Sequence, residues 1–172
     1  IEAGVKRIYA VTGDSLNEVN EAVRQNEEIK WIHVRHEETG AYAAGAEAQL
    51  TGLPGCCAGS SGPGHVHLIN GLYDAQRSGA PVLAIASTIP TGEFGTEYFQ
   101  ETNTIKLFSD CSYYNEVATT PQQFPRMLQS ALQTATTRKG VSVIGLPGDL
   151  AKKSAVNICL LYTSDAADDL IG

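Results

Sequence analysis

The chain has 172 residues, 42% of them hydrophobic and 18% charged, with a formal net charge of -7. That length suits one domain with a sizeable core, and 17 glycines point to many tight turns. A negative balance without any Lys/Arg cluster excludes a nucleic-acid surface, and no apolar run nears the ~20 residues that a bilayer span requires.

In chain order, residues 7–11 read as a strand, and Thr12-Gly13-Asp14-Ser15 turns into a helix capped by Asp14 or Ser15. A second strand at 31–34 feeds a small-residue helix over 37–50. A third at 54–58 leads through a glycine-rich turn into a helix near 65–77. The fourth, 81–86, is apolar without a break, as a strand buried on both faces should be. A long loop over 87–101, rich in Gly, Thr and Glu, follows, and loops of that length in compact domains tend to be functional or mobile. Pro121 opens a helix to about 137, and 141–146 is the last strand. The alternation predicts an α/β fold: one three-layer αβα domain with a mostly parallel sheet of about six strands. Ligands of such sheets bind at the carboxyl ends of the strands, so the strand-to-helix junctions are the places to search.

Four cysteines form no disulfide framework. Cys56 and Cys57 sit in an apolar run, where thiols behave as small hydrophobes, while Cys111 and Cys159 stand apart. Without a CxxC pair, neither a zinc site nor a thioredoxin motif is supported, and a reducing, cytoplasmic setting is expected. The segment from Cys159 onward loses periodicity and resembles translated sequencing-library adapter. Residues 159–172 are therefore expected to be a non-native tail, and the domain to span 1–158, truncated at its N-terminus.

Three junction features carry chemistry. Glu37 follows the second strand at the start of a helix, where the positive end of the helix favours a carboxylate; a solvated first-turn glutamate is the ordinary reading, and Glu38 suits that role better. Gly59–Gly64 is a glycine turn at a helix N-terminus, but it matches neither the P-loop nor GxGxxG, so it reads as a turn that lets a ligand approach the backbone. His65, His67 and Asn70 follow it, with His67 and Asn70 three apart on one face. Without a carboxylate at ligand spacing in the sequence no metal site is expected. His33 and His36 read as structural. Tyr98-Phe99-Gln100-Glu101 closes the long loop with an aromatic beside an amide, which suits either a small-molecule pocket or a loop anchor.

The ordered set of motifs resembles the N-terminal pyrimidine-binding (PYR) domain of thiamine-diphosphate enzymes, in the pyruvate oxidase and pyruvate dehydrogenase (quinone) branch. The matching pieces are Val11-Thr12-Gly13-Asp14, Arg35-His36-Glu37-Glu38 with Gly40-Ala41, the small-residue run 43–52, Gly59–Gly64, the run 67–75, Pro81-Val82-Leu83-Ala84-Ile85, Phe99-Gln100-Glu101 and the run 140–149. In that family the glutamate after the histidine hydrogen-bonds N1′ of the cofactor aminopyrimidine and thereby promotes deprotonation of the thiazolium carbon. Glu37 is the matching position. The resemblance further implies that Gly13, Pro63 and Asn70 lie on the cofactor side, and that His67, Phe99 and Gln100 face the substrate, a small 2-keto acid. It implies Mg²⁺ and FAD in the full-length enzyme, bound by parts this chain does not include. The expected partner is the diphosphate-binding domain of a neighbouring subunit in a homo-oligomer. Any membrane association of the full-length enzyme would not run through this domain.

The expected function is thus that of a fragment, inactive alone, of an enzyme that decarboxylates pyruvate oxidatively. Acetolactate synthase or another 2-keto acid decarboxylase is the alternative within the superfamily. A non-catalytic α/β assembly module is the alternative from another class.

Overall fold

The computed structural model describes residues 1–155, so the expectation of a non-native tail at 159–172 lies outside the described residues. Six strands form one all-parallel sheet: β1 (Arg7–Ala10), β2 (Lys30–His33), β3 (Gly55–Gly59), β4 (Val82–Thr88), β5 (Tyr114–Val117) and β6 (Val141–Pro147). Their order across the sheet is β2-β1-β3-β4-β6-β5. The chain runs outward from β1 to β2, returns to β3 on the other side of β1, and continues to β4. The order therefore reverses between β1 and β3, and the crevice above their carboxyl ends is the topological switch point where such sheets take ligands.

Alternate residues of the strands point to opposite faces, and this builds two separate cores. On one face Cys56, Ala58, Leu83, Ile85, Ile144 and Leu146 pack with α1 (Asn17–Arg24) and α6 (Phe124–Arg138). On the other, Cys57, Ala84, Ala86, Val141 and Val143 pack under α2 (Glu37–Thr51) and α4 (Ile69–Arg77). Helices on both faces of a parallel sheet are what the βα alternation requires. Cys56, Cys57 and Cys111 are all buried free thiols, and burial pushes Cys56 up to about 12 and Cys111 up to about 11. They are inert packing residues at neutral pH. No described helix is long and apolar enough to cross a membrane.

The small residues of α2 have a definite use. Ala41, Ala44, Gly45 and Ala48 are buried against β1, β3 and α4. A Cβ on Gly55 would stand 2.0 Å from the Ala44 carbonyl oxygen, and one on Gly71 would stand 2.5 Å from Ala41 Cβ. The helix thus lies closer to its neighbours than any residue but glycine allows at those two places. It ends at Gly52, whose φ of 73° is the left-handed C-cap, with its N–H on Ala48 O at 2.9 Å.

Several local expectations are corrected. Neither Asp14 nor Ser15 caps a helix: Asp14–Leu16 is a single 3₁₀ turn without a side-chain cap, and Ser15 Oγ instead accepts from Ser61 N–H at 3.0 Å. The helix near 65–77 is two pieces, α3 (Pro63–Val66) and α4, joined through a tightened turn in which Leu68 N–H bonds His65 O at 3.2 Å. The helix placed at 121 starts at Phe124, because Gln123 turns its side-chain oxygen back onto the Thr119 and Thr120 N–H groups. β5 is a short, half-buried edge strand with a polar centre, so it leaves little periodic trace. The long loop begins only after Thr88 and contains a 3₁₀ turn (Thr91–Glu93) before α5 (Thr104–Leu107).

Because a Cβ at position 71 must push α2 and α4 apart, Gly71→Ala should lower stability by about 1–3 kcal/mol. Gly92 meets nothing within 4 Å, so Gly92→Ala should stay within about 0.5 kcal/mol. Urea unfolding of the two variants measures the difference.

Candidate functional site

Glu37 is the first residue of α2, and its position follows from how β2 ends. After His33 the chain bends at Arg35 and His36, and Nδ1 of the extended His36 (φ -152°) accepts the Glu38 N–H at 3.3 Å and caps the helix. His36, expected to be structural, does take that role. Glu37 then points down over the switch point, only 8% exposed. Its Oε2 accepts a hydrogen bond from His67 Nδ1–H at 3.0 Å, since a carboxylate can only accept. The His67 and His36 rings stack, centroids 4.4 Å apart. A carboxylate therefore does stand at ligand distance from the histidines, but from α2 and across 30 residues of sequence. Sequence spacing along the α3–α4 segment had no means of showing it.

The glycine turn after β3 closes the other side. A Cβ on Gly64 would lie 2.3 Å from Ser60 Oγ and 3.4 Å from Glu37 Oε1, and one on Gly13 would lie 2.5 Å from Ser60 Cβ. Gly13 thus matters because Ser60 packs against its bare face, which draws the β1 and β3 turns together beside the carboxylate. Gly62 has a φ of 68° and faces Gln100, at 2.7 Å from a Cβ position. Ser61 Oγ–H donates to Gln100 Oε1 at 3.1 Å. Gln100 is therefore tied to the glycine turn, and it reaches that place through its own positive φ of 65°. Pro63 and Asn70 lie exposed at the rim, and Phe99 is 78% exposed. The structure thus brings Glu37, His67, Gly13, Pro63 and Gln100 to one crevice, with Asn70 one turn further along and Phe99 directed outward.

His65 is the residue that sequence reasoning left without a role. It is fully buried, with Nδ1–H donating to Ser87 O at 2.8 Å and Nε2 accepting from Thr102 Oγ1–H at 2.5 Å. The Ser87 carbonyl requires the proton on Nδ1, and with the ring held neutral by burial Nε2 is left to accept from Thr102. Burial lowers its pKa below the ordinary value, offset in part by the Ser87 bond. Ser87 Oγ–H in turn lies between two carbonyl acceptors, Ser15 O (2.8 Å) and Leu146 O (3.0 Å), which share its single proton. One histidine and four serines (Ser15, Ser60, Ser61, Ser87) so join the ends of β1, β3 and β4 to the far end of the long loop. The near end is held by Asp149, whose carboxylate accepts Thr91 N–H (2.9 Å) and Thr91 Oγ1–H (2.8 Å). Burial works against that charge, yet these bonds and Lys153 keep Asp149 below its usual range. The cue in the sequence was weak: a Ser-Ser pair inside a glycine turn and a histidine after it.

With this geometry in hand, relatives are informative. Residues 1–107 match the family described as thiamine pyrophosphate enzyme, N-terminal TPP binding domain. The chain belongs to that family. As a TPP enzyme N-terminal domain it is 46% identical over 148 residues to the putative thiamine pyrophosphate-containing protein YdaP of Bacillus subtilis, covering 86% of this chain and 26% of the relative. It is 40% identical over 148 residues to a pyruvate oxidase of Lactiplantibacillus plantarum, covering 86% and 24%. It is 32% identical over 154 residues to the chloroplastic acetolactate synthase 3 of Brassica napus, covering 89% and 24%. The chain spans about a quarter of the length of these relatives.

A buried neutral imidazole makes the TPP-binding domain acid-sensitive. In the unfolded chain the ring takes a proton below about pH 6.5, whereas the folded state holds it neutral to lower pH. The contribution of His65 is therefore complete above that value and lost as pH falls towards the lowered folded pKa. Urea midpoints measured from pH 7 to pH 5 should fall, and should fall less steeply in His65→Gln.

Proposed function

We propose that this domain supplies the cofactor-activating carboxylate of an enzyme that oxidatively decarboxylates pyruvate. The single observation behind the reading is Glu37: a carboxylate buried at a helix start, oriented by His67, with Oε1 beside Gly64 of the glycine turn. A flat aminopyrimidine needs such an approach to backbone, with a fixed acceptor at its edge. Bound thiamine diphosphate would supply a carbon nucleophile and an electron sink for loss of CO₂ from a 2-keto acid.

The residues of this chain would do the following. Glu37 would hold a proton against N1′ of the aminopyrimidine, and His67 would keep the carboxylate in one rotamer. Pro63 and Asn70, at the rim, would border the ring, while Phe99 and Gln100 would extend the wall towards the substrate. The hydrogen bond from Ser61 to Gln100 supports that role. The crevice is open, with His36, His67 and Asn70 exposed, and the outer side of α2 and α4 carries exposed Tyr42 and Tyr73. That openness supports a second wall from the diphosphate-binding domain of a neighbouring subunit in a homo-oligomer. Mg²⁺ and FAD belong, in this reading, to parts of the longer protein outside this chain.

Higher identity to the pyruvate oxidase than to the acetolactate synthase favours the oxidative branch. Acetolactate formation is the competing outcome. Assayed in the full-length protein with pyruvate, reduction of an electron acceptor supports the first and acetolactate release the second. Glu37→Gln should cut turnover by ~100-fold or more, as loss of an acid–base group does; near-normal turnover would overturn the assignment.

A further inference from the structure

His36, Glu37 and His67 each place one ligand atom, a ring nitrogen or a carboxylate oxygen, within 4.8 Å of the other two. That spacing decides what could sit among them. Zinc binds imidazole nitrogen at about 2.0–2.1 Å and carboxylate oxygen at about 2.0–2.2 Å, so in its tetrahedral arrangement two ligand atoms on one ion stand about 3.3–3.6 Å apart. Glu37 Oε2 and His67 Nδ1, 3.0 Å apart, already stand at ligand spacing, and no separation in the cluster has to close by more than about 1.5 Å. His36 and His67 are both exposed and can close that distance by turning their rings, whereas Glu37 is buried and stays in place as the anchor. The two imidazoles stack, with centroids 4.4 Å apart, so both rings lie together beside the carboxylate.

We propose that this cluster is a site for a divalent transition cation, with Zn²⁺ the best fit, bound by His36, Glu37 and His67 and completed by water. Two imidazoles and one carboxylate, with open positions, form a donor set for zinc-like ions. Mg²⁺ prefers oxygen ligands and gives up its waters reluctantly. On binding, the His67 Nδ1–H···Oε2 hydrogen bond gives way to two bonds to the ion, and the displaced proton moves to the other ring nitrogen or to solvent. The positive end of α2 opposes the cation, while Glu38 Oε2, 4.0 Å from His36 Nδ1, favours it. The site is therefore expected to hold zinc at micromolar rather than picomolar strength. A consequence rests on the function proposed above: an ion on Glu37 occupies the carboxylate that the aminopyrimidine would use, so zinc and thiamine diphosphate exclude each other.

Calorimetry of the chelator-treated 172-residue chain with zinc chloride should show one ion per chain, and magnesium chloride should show no binding. His36→Ala and His67→Ala, both at exposed positions, should each weaken zinc by ~10-fold or more. Cobalt chloride should give visible absorption bands in the unaltered chain that His67→Ala removes. Zinc binding of unchanged strength in both histidine variants, or none at about 1 mM metal, would overturn the site. In thiamine-free full-length protein, added thiamine diphosphate should weaken zinc ~10-fold or more. Zinc that depends on the histidines but ignores thiamine diphosphate would support the cation site while refuting the exclusion, and with it the cofactor role of Glu37.

Discussion

Everything at the switch point depends on how closely α2 can approach the sheet. The helix carries Glu37 on its first turn, so any rise of the helix off β1 and β3 lifts the carboxylate out of the crevice. Gly55 admits the Ala44 carbonyl, Gly71 admits Ala41, and Gly40 lies where a Cβ would be 3.1 Å from the Tyr9 carbonyl. Leucine-sized residues at these contacts would hold the layers near the usual 10 Å separation of packed elements. Bulk is absent on the sheet side as well, where Cys57, Ala84 and Ala86 line the surface that α2 and α4 cover. The small-residue composition of α2 is thus satisfied within the chain. The other side of the helix, carrying Tyr42 and Leu50, is the one that meets solvent.

A second constraint joins the loop to the crevice. Long loops cost order, and this one is tied at both ends by buried or half-buried groups beyond the carboxyl ends of the strands: Asp149 at Thr91, and His65 at Thr102. Between them Glu101 accepts the Gly95 and Tyr98 N–H groups, closing the segment on itself. The result delivers Gln100 to Gly62, where a larger residue in place of glycine would collide with it. A hydrogen-bonded network of this kind is cooperative and depends on full satisfaction of each member. The neutral state of His65 and the position of Gln100 are therefore one structural decision.

Legibility differed by kind of feature. Glu37 could be found because a carboxylate after a strand and before a small-residue helix combines two local signals, and motif order supplied a third. β3, β4 and β6 were readable from apolar runs, since strands buried on both faces have no other composition, and β1 and β2 from shorter runs ending at turn or helix starts. β5 was not readable: four residues with Asn115 and Glu116 at the centre look like loop until β6 pairs with them. The break between α3 and α4 was equally hidden, because it comes from a turn tightened at His65 and not from a helix-breaking residue.

The sequence by itself determined the layer architecture, the parallel sheet, the carboxylate and the family, because period, turn residues and motif order are local properties of the chain. Only the tertiary structure decided which residues keep company with Glu37. His67 reaches it from a different helix, His36 joins by ring stacking, and Ser60 draws the β1 and β3 turns together. Those contacts link residues tens of positions apart, and their distances are set by how closely backbones pack, a quantity that no spacing along the chain encodes.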